Sequence, residues 1–296
     1  MKIVVVGANG QLGKEICKQL ETKTSSLGNI PKQMENAQVV GTDVLCDNMK
    51  NLDITDKKAV VSFIKKEKPD IVINCAAFTN VDLCETQSES AFNLNSLGPR
   101  NLARACDKVS ARLVHVSTDY VFSGVSDVPF CEYDVPNPQS VYGKTKLLGE
   151  KYVETFCKKH FIVRTSWLYG KFGNNFVKTI SKIAAEKGEL KVVDDQVGNP
   201  TNAEDVAYHI LKIATTSEYG LYNCTGNGIC SWYEFACKIV ELAGINANVS
   251  PCTTEEFPRP AKRPAYSALE NNMLKLTVGD EMRNWKIALQ SYFENN

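Results

Sequence analysis

Tyr142 and Lys146 stand four residues apart in Ser140-Val141-Tyr142-Gly143-Lys144-Thr145-Lys146. On a helix, positions i and i+4 share a face one turn apart, so a phenol and an ammonium would enter one cleft. A cation beside the phenol favours phenolate. That predicts a lowered tyrosine pKa and a proton easily given and regained near neutrality. Alone, the spacing describes two surface residues on a polar helix equally well. Two further groups give it weight. Gly7-Ala8-Asn9-Gly10-Gln11-Leu12-Gly13 lies between an apolar run and a helical pattern, and Ser117-Thr118-Asp119 closes another apolar run.

The elements that would position these groups can be read in order. Residues 2 to 6 are a β-branched run, as in a strand covered on both faces of a parallel sheet. Gly-x-x-Gly-x-x-Gly then permits a tight turn, close approach to a pyrophosphate and close helix packing, with the helix N-terminus facing the phosphate. Residues 22 to 36 are polar and read as a surface loop. A strand over 38–43 ends in Asp43, an acid placed for an adenosine ribose, or otherwise a loop aspartate. Thr55 or Asp56 suits a helix cap, and Asp53 could reach the adenine edge. Ile71-Val72-Ile73-Asn74 is a buried strand whose small successors, Ala76 and Ala77, leave room for a flat cofactor. A long helix is expected over 85–108 and a strand over 112–116. The Pro- and Asp-rich stretch 119–139 is placed for a substrate loop. After a strand over 161–165, Trp167, Tyr169, Gly173, Asn174 and Asn175 suit a base or sugar, or equally core aromatics and a capped turn. Helices follow near 176–187, 203–215 and from Ser231, which with Glu234 has the form of a capping box. Phe257 to Pro264 is a stiff segment carrying three cations, suited to a diphosphate or simply exposed. A last helix is expected near 279–293.

Alternating strands and helices over the first 120 residues predict an α/β chain. The expectation is a Rossmann-type doubly wound parallel sheet with a smaller C-terminal α/β substrate-binding domain. Residues 1–167 would form the dinucleotide domain, with part of 196–223 returning to it. Residues 168–195 and 224–296 would form the substrate domain.

The balanced charge of 34 basic and 34 acidic residues gives no global field for nucleic acid or an anionic membrane. No apolar run reaches the roughly 18 residues of a membrane span, and the short apolar start runs into a glycine turn, unlike a signal peptide. Eleven scattered cysteines without Cys-x-x-Cys read as reduced thiols of a cytoplasmic protein. Three histidines without ligand spacing give no expectation of a metal. Glu15, near a helix start, suits the helix dipole.

The glycine turn, Ser117 to Phe122, Val141 to Lys146 and Arg164-Thr165-Ser166-Trp167 occur in one order that resembles the extended short-chain dehydrogenase/reductases. Within them the chain resembles the dTDP-4-dehydrorhamnose reductases. Gly173 to Phe176, Asp195-Gln196 and Arg263 to Ser267 extend the likeness into the second half. The resemblance implies hydride transfer from NADH or NADPH to C4 of dTDP-4-dehydro-L-rhamnose. Tyr142 would donate the proton, Lys146 would hold the nicotinamide ribose and depress the tyrosine pKa, and Thr118 would align the substrate oxygen. The cofactor would lie along Gly7, Asn9, Gly10, Gln11, Leu12, Gly13, Asp43, Asp53, Ile54, Ala76, Ala77 and Thr79, with Tyr142 and Lys146. Asp43 leans towards NADH, since it would repel a 2′-phosphate. Val81, Asp119, Tyr120, Trp167, Asn174, Asn175, Gln196 and Arg263 would face the dTDP-sugar. A homodimer is left open, with neither nucleic acid nor membrane as partner. Two other readings stand beside this one. A sugar-nucleotide epimerase or dehydratase of the same superfamily would copurify with stoichiometric NAD. A non-catalytic regulatory subunit of reductase fold would form a stable complex with a second protein and show no turnover.

Overall fold

The computed structural model describes residues 1–44 and 49–295. Its centre is a seven-stranded sheet: β1 (Lys2–Val6), β2 (Gln38–Asp43), β3 (Lys50–Asn51), β4 (Ile71–Asn74), β5 (Arg112–Thr118), β6 (His160–Thr165) and β7 (Gly220–Asn223). The strand order is β3-β2-β1-β4-β5-β6-β7, and every pairing is parallel. Chain order reverses between β1 and β4, and a crevice opens beyond the carboxyl ends at such a point. Register aligns those ends along one edge, with Val6 opposite both Thr42 and Asn74, and Thr118 opposite Thr165. The expected Rossmann-type sheet is what forms.

Side chains alternate between the two faces, and both faces are covered. On one, Ile3, Val5, Ile71, Ile73 and Val114 pack with Leu12, Ile16 and Leu20 of α1 (Gln11–Thr22) and Val206 and Ile210 of α6 (Ala203–Ala214). On the other, Val4, Val6, Val72 and Leu113 meet α2 (Lys57–Glu67), α3 (Gly98–Lys108) and α4 (Val141–Phe156) through Ile64, Leu102 and Val153. This double coverage is why the strands read as unbroken apolar runs. A further core joins α5 (Phe176–Lys187), α7 (Trp232–Leu242) and α8 (Trp285–Glu294) through Ile180, Phe235, Ile239, Trp285 and Leu289. Beside it, strands Glu189–Val193 and Asn248–Cys252 pair in parallel. From residues 224–296, Cys224, Leu274 and Met282 cross to the sheet core.

Local signals set several boundaries. Asp56 caps α2, Ser140 caps α4, and Ser231 with Glu234 forms the capping box of α7. Three expectations are corrected. The helix expected over 85–108 is broken into Val81–Thr86, Ser88–Phe92, a π-turn Asn93–Leu97 and α3. Pro99 has no N–H for the Asn95 carbonyl, so the regular ladder fails there. The 22–36 loop is a small hairpin, Thr24–Ser25 with Gly28–Asn29, that buries Ile30 and Met34 in the sheet core and binds Glu204 through Ser26. Glu15 lies beyond the first turn of α1 and pairs with Lys18 and Gln19, so the helix dipole does not account for it. No helix among the described residues is long and apolar enough to cross a membrane.

Candidate active site

The glycine turn positions α1 against the sheet edge. Gly7 has φ +73°, and a Cβ at Gly13 would sit 2.2 Å from the Gly7 carbonyl oxygen, so no larger residue fits either place without movement. Gly10 caps α1 with no side-chain bond, which leaves the first N–H groups of the helix facing the crevice. Asp43 ties this turn to the end of β2, accepting from Asn9 N at 2.9 Å and Val44 N at 2.8 Å.

Beyond the strand ends runs a trough. One part, about 510 Å³, is lined by Gly10, Gln11, Leu12, Cys75, Ala77, Thr79, Val81, Thr118, Asp119, Tyr120, Tyr142, Lys146, Trp167 and Asn174, among others. The other, about 220 Å³, is lined by Gly7, Asp43, Leu52, Asp53, Ile54, Ala76 and Leu94, among others. They share Gly10, Cys75 and Ala77 and so form one bent channel around the glycine turn. Joined at the glycine turn, the two parts leave room for an extended ligand between Asp43 and Lys146.

The wall beside Lys146 holds the titratable groups. Ser140 Oγ accepts from Gly143 N at 3.1 Å and starts α4, which carries Tyr142 and Lys146 inward. A Cβ at Gly143 would sit 2.1 Å from the Tyr120 carbonyl oxygen, so glycine lets α4 touch the turn after β5. The rings of Tyr120 and Tyr142 meet edge-on at 5.4 Å. Burial pushes the Tyr142 hydroxyl up from its ordinary value; the Thr118 hydroxyl facing it pulls the other way. The expected lowering by Lys146 is therefore corrected. Lys146 Nζ donates to the Val116 carbonyl at 2.6 Å, and burial draws its pKa down to about 8, opposed first by the Glu150 carboxylate. Glu150 in turn accepts two bonds from Arg164, at 2.9 and 2.7 Å, and one from Ser117 at 2.5 Å. Burial pushes Asp119 up to about 6, opposed by the hydroxyls of Thr118 and Ser267. Thr118 Oγ1 donates to Asp119 at 2.8 Å.

The other expected residues divide. Trp167, at φ 44°, stacks on Trp232 at 3.5 Å and donates to Ser267 at 3.2 Å, forming the far wall. Asn174 lines the trough, but the Asn175 amide caps α5 and donates to Gln11 and Gly170, so it braces the glycine turn. Gln196 is buried and donates to Thr254, away from the trough lining. Arg263 lies at an adjoining mouth with Tyr120, where it meets Asp82. Glu150, Ser267 and Asp82 were not anticipated as site residues, though Ser267 closes the stretch that carried the family likeness. Their partners lie 14, 100 and 181 residues away, and only the i,i+4 spacing of Lys146 and Glu150 could have drawn attention.

Comparison with known proteins agrees with this geometry. The family profile described as the RmlD substrate binding domain matches residues 1–296. The spore coat polysaccharide biosynthesis protein SpsK of Bacillus subtilis is 39% identical, over 99% of this chain and 97% of its own. A solved dTDP-4-dehydrorhamnose reductase from Clostridium acetobutylicum is 52% identical, with TM-score 0.92, covering 100% of this chain and 99% of that one. The corresponding Bacillus anthracis enzyme, solved in complex with NADP, is 40% identical with TM-score 0.92, again covering 100% and 99%. With the bent trough and the Thr118, Tyr142 and Lys146 wall in place, this full-length likeness means that the chain belongs to the dTDP-4-dehydrorhamnose reductase family of oxidoreductases.

Proposed function

We propose that this chain reduces the C4 keto group of dTDP-4-dehydro-L-rhamnose to dTDP-L-rhamnose, with Tyr142 as proton donor. The observation that carries the reading is the meeting of Thr118, Tyr142 and Lys146 on one wall of a trough that begins at a glycine turn. Bound nicotinamide supplies the hydride to the carbonyl carbon. Thr118 turns its hydroxyl proton from Asp119 to the substrate oxygen and fixes its position. The raised pKa of Tyr142 keeps its proton in place until alkoxide develops. The Tyr142 O–H bond then breaks as the new sugar O–H bond forms, and Lys146, on the same wall, would hold the nicotinamide ribose. Solvent returns the proton to Tyr142. Trp167, Leu168, Gly173 and Asn174 bound the sugar side of the trough, and residues 168–195 and 224–296 would form the substrate domain.

The reading extends to the coenzyme. Asp43 carries a negative charge at the adenosine end of the trough, which supports NADH over NADPH. Asp43→Asn is expected to raise the kcat/KM ratio of NADPH to NADH about tenfold; an unchanged ratio removes Asp43 as the selector. The ten cysteines among the described residues are free thiols, which supports a cytoplasmic setting.

The primary experiment follows NADH absorbance with enzymatically made dTDP-4-dehydro-L-rhamnose, wild type beside Tyr142→Phe. Oxidation by wild type that falls at least about a hundredfold in the variant supports the proposal. Protein that binds dinucleotide yet oxidises neither NADH nor NADPH refutes it.

A further inference from the structure

Asp82 belongs to none of the roles above, yet it holds together three distant parts of the chain at the mouth of the trough. It lies in the first turn of the helix Val81–Thr86, directly after Val81 of the trough lining. Its Oδ2 accepts from Arg263 Nη2 at 2.8 Å, and its Oδ1 accepts from the backbone N–H of Ala261 at 3.2 Å. The other arm of the Arg263 guanidinium donates to the Tyr120 hydroxyl at 3.0 Å. Tyr120 in turn meets the Tyr142 ring.

The segment thus held is Phe257 to Pro264, whose three prolines forbid helix and central strand alike. A segment with so few internal bonds takes its position from its anchors. Pro264 is one, since it packs so closely on Gly124 that a Cβ there would meet it at 2.6 Å. Asp82 is the other, because one carboxylate binds both the backbone and the cation of the segment. Ala261 is buried while Lys262 beside it is exposed, as expected of a strap laid across a surface. The Asp82–Arg263 pair is partly exposed, at 25% and 20%, so its value lies in geometry more than in stability.

We propose that Asp82 is a positioning residue that pins the 257–264 strap across the mouth and, through Arg263 and Tyr120, shapes the entry for the nucleotide part of the substrate. This rests on the reductase reading for its substrate, but the strap itself can be tested without turnover. With the latch closed, Arg263 and Tyr120 present a fixed donor pair at the mouth. With it open, ordering them would draw on the substrate's own binding energy, so the loss should appear in KM and not in the chemical step.

The test uses Asp82→Ala, Asp82→Glu and the Asp82→Ala/Arg263→Ala pair. Trypsin does not cleave before proline, so Lys262–Arg263 is the one tryptic bond in the strap. Asp82→Ala is expected to speed cleavage there about tenfold, with Asp82→Glu restoring most of the protection. It should raise KM for the dTDP-sugar about tenfold, while kcat and the KM for NADH stay within about twofold. On the Arg263→Ala background, Asp82→Ala should add little to the sugar KM. Unchanged cleavage at Lys262, or equal losses for sugar and NADH, would overturn the latch. Absence of turnover in wild type would instead count against the reductase reading, while the proteolysis result still decides the strap.

Discussion

At the scale of single residues, the site is governed by burial more than by ion pairing. Tyr142 and Lys146 are both buried, and each is driven towards its neutral form, the phenol upwards and the amine down to about 8. The Glu150 carboxylate, locked by Arg164 and Ser117, opposes that effect of burial at Lys146. A pH dependence follows. Lys146 loses its proton as pH rises through about 8, and with it the charge that the proposed reading would offer the dinucleotide ribose. NADH affinity measured by titration calorimetry is expected to weaken above that pH in wild type, and the limb should vanish in Lys146→Gln. A limb that persists in the variant would assign the effect to another group. That Tyr142 and Lys146 share one helix face was legible from their i,i+4 spacing, but its weight came from the glycine turn and the Ser117-Thr118-Asp119 cluster. The direction of the tyrosine shift was not legible, because it depends on how much water the rest of the fold removes.

Among the elements, the decisive contact is between α1 and the start of the sheet. The Gly7 turn, the Gly13 approach and the Asp43 brace are one construction, since each fixes where the first N–H groups of α1 point. Gly13→Ala would drive a methyl into the Gly7 carbonyl at 2.2 Å. The expected cost is about 1–3 kcal/mol, seen as a fall in melting temperature, with dinucleotide affinity lost more severely than stability. A variant that melts lower but binds NADH as wild type does would separate packing from phosphate binding. The glycine spacing and the caps at Asp56, Ser140 and Ser231 were readable because they are local. The π-turn at Asn93–Leu97 escaped detection although Pro99 was in view, since apolar periodicity continues through it.

For the whole molecule, the C-terminal half is stitched to the sheet by buried polar groups. His209 on α6 faces the Asp205 carbonyl through Nδ1 at 2.8 Å and accepts from Glu281 N through Nε2 at 3.1 Å. That arrangement requires a neutral ring, and burial holds the pKa below its ordinary value. A histidine with a depressed folded pKa contributes its full stability above about pH 6.5 and loses it as pH falls below that. Asp119, raised in the folded state, acts with the opposite sign in the same region. A comparison with a variant therefore isolates the histidine. Between pH 7 and 5, the melting temperature of wild type is expected to fall more steeply than that of His209→Gln. Parallel curves would show that His209 takes no proton on unfolding.

The sequence by itself determined the parallel sheet, the glycine turn and the helix face that carries Tyr142 and Lys146. Each depends on short-range chemistry: apolar runs, glycine spacing, helical i,i+4 geometry and capping side chains. Tertiary structure alone decided which polar residues remain open to a ligand. Asn174 lines the trough while its neighbour Asn175 is consumed by Gln11 and a helix cap, and Gln196 turns to Thr254. It also decided that Arg263 meets Asp82, across 181 residues of chain. A side chain's type sets what it can bind, but its free valences depend on neighbours that folding brings from far away.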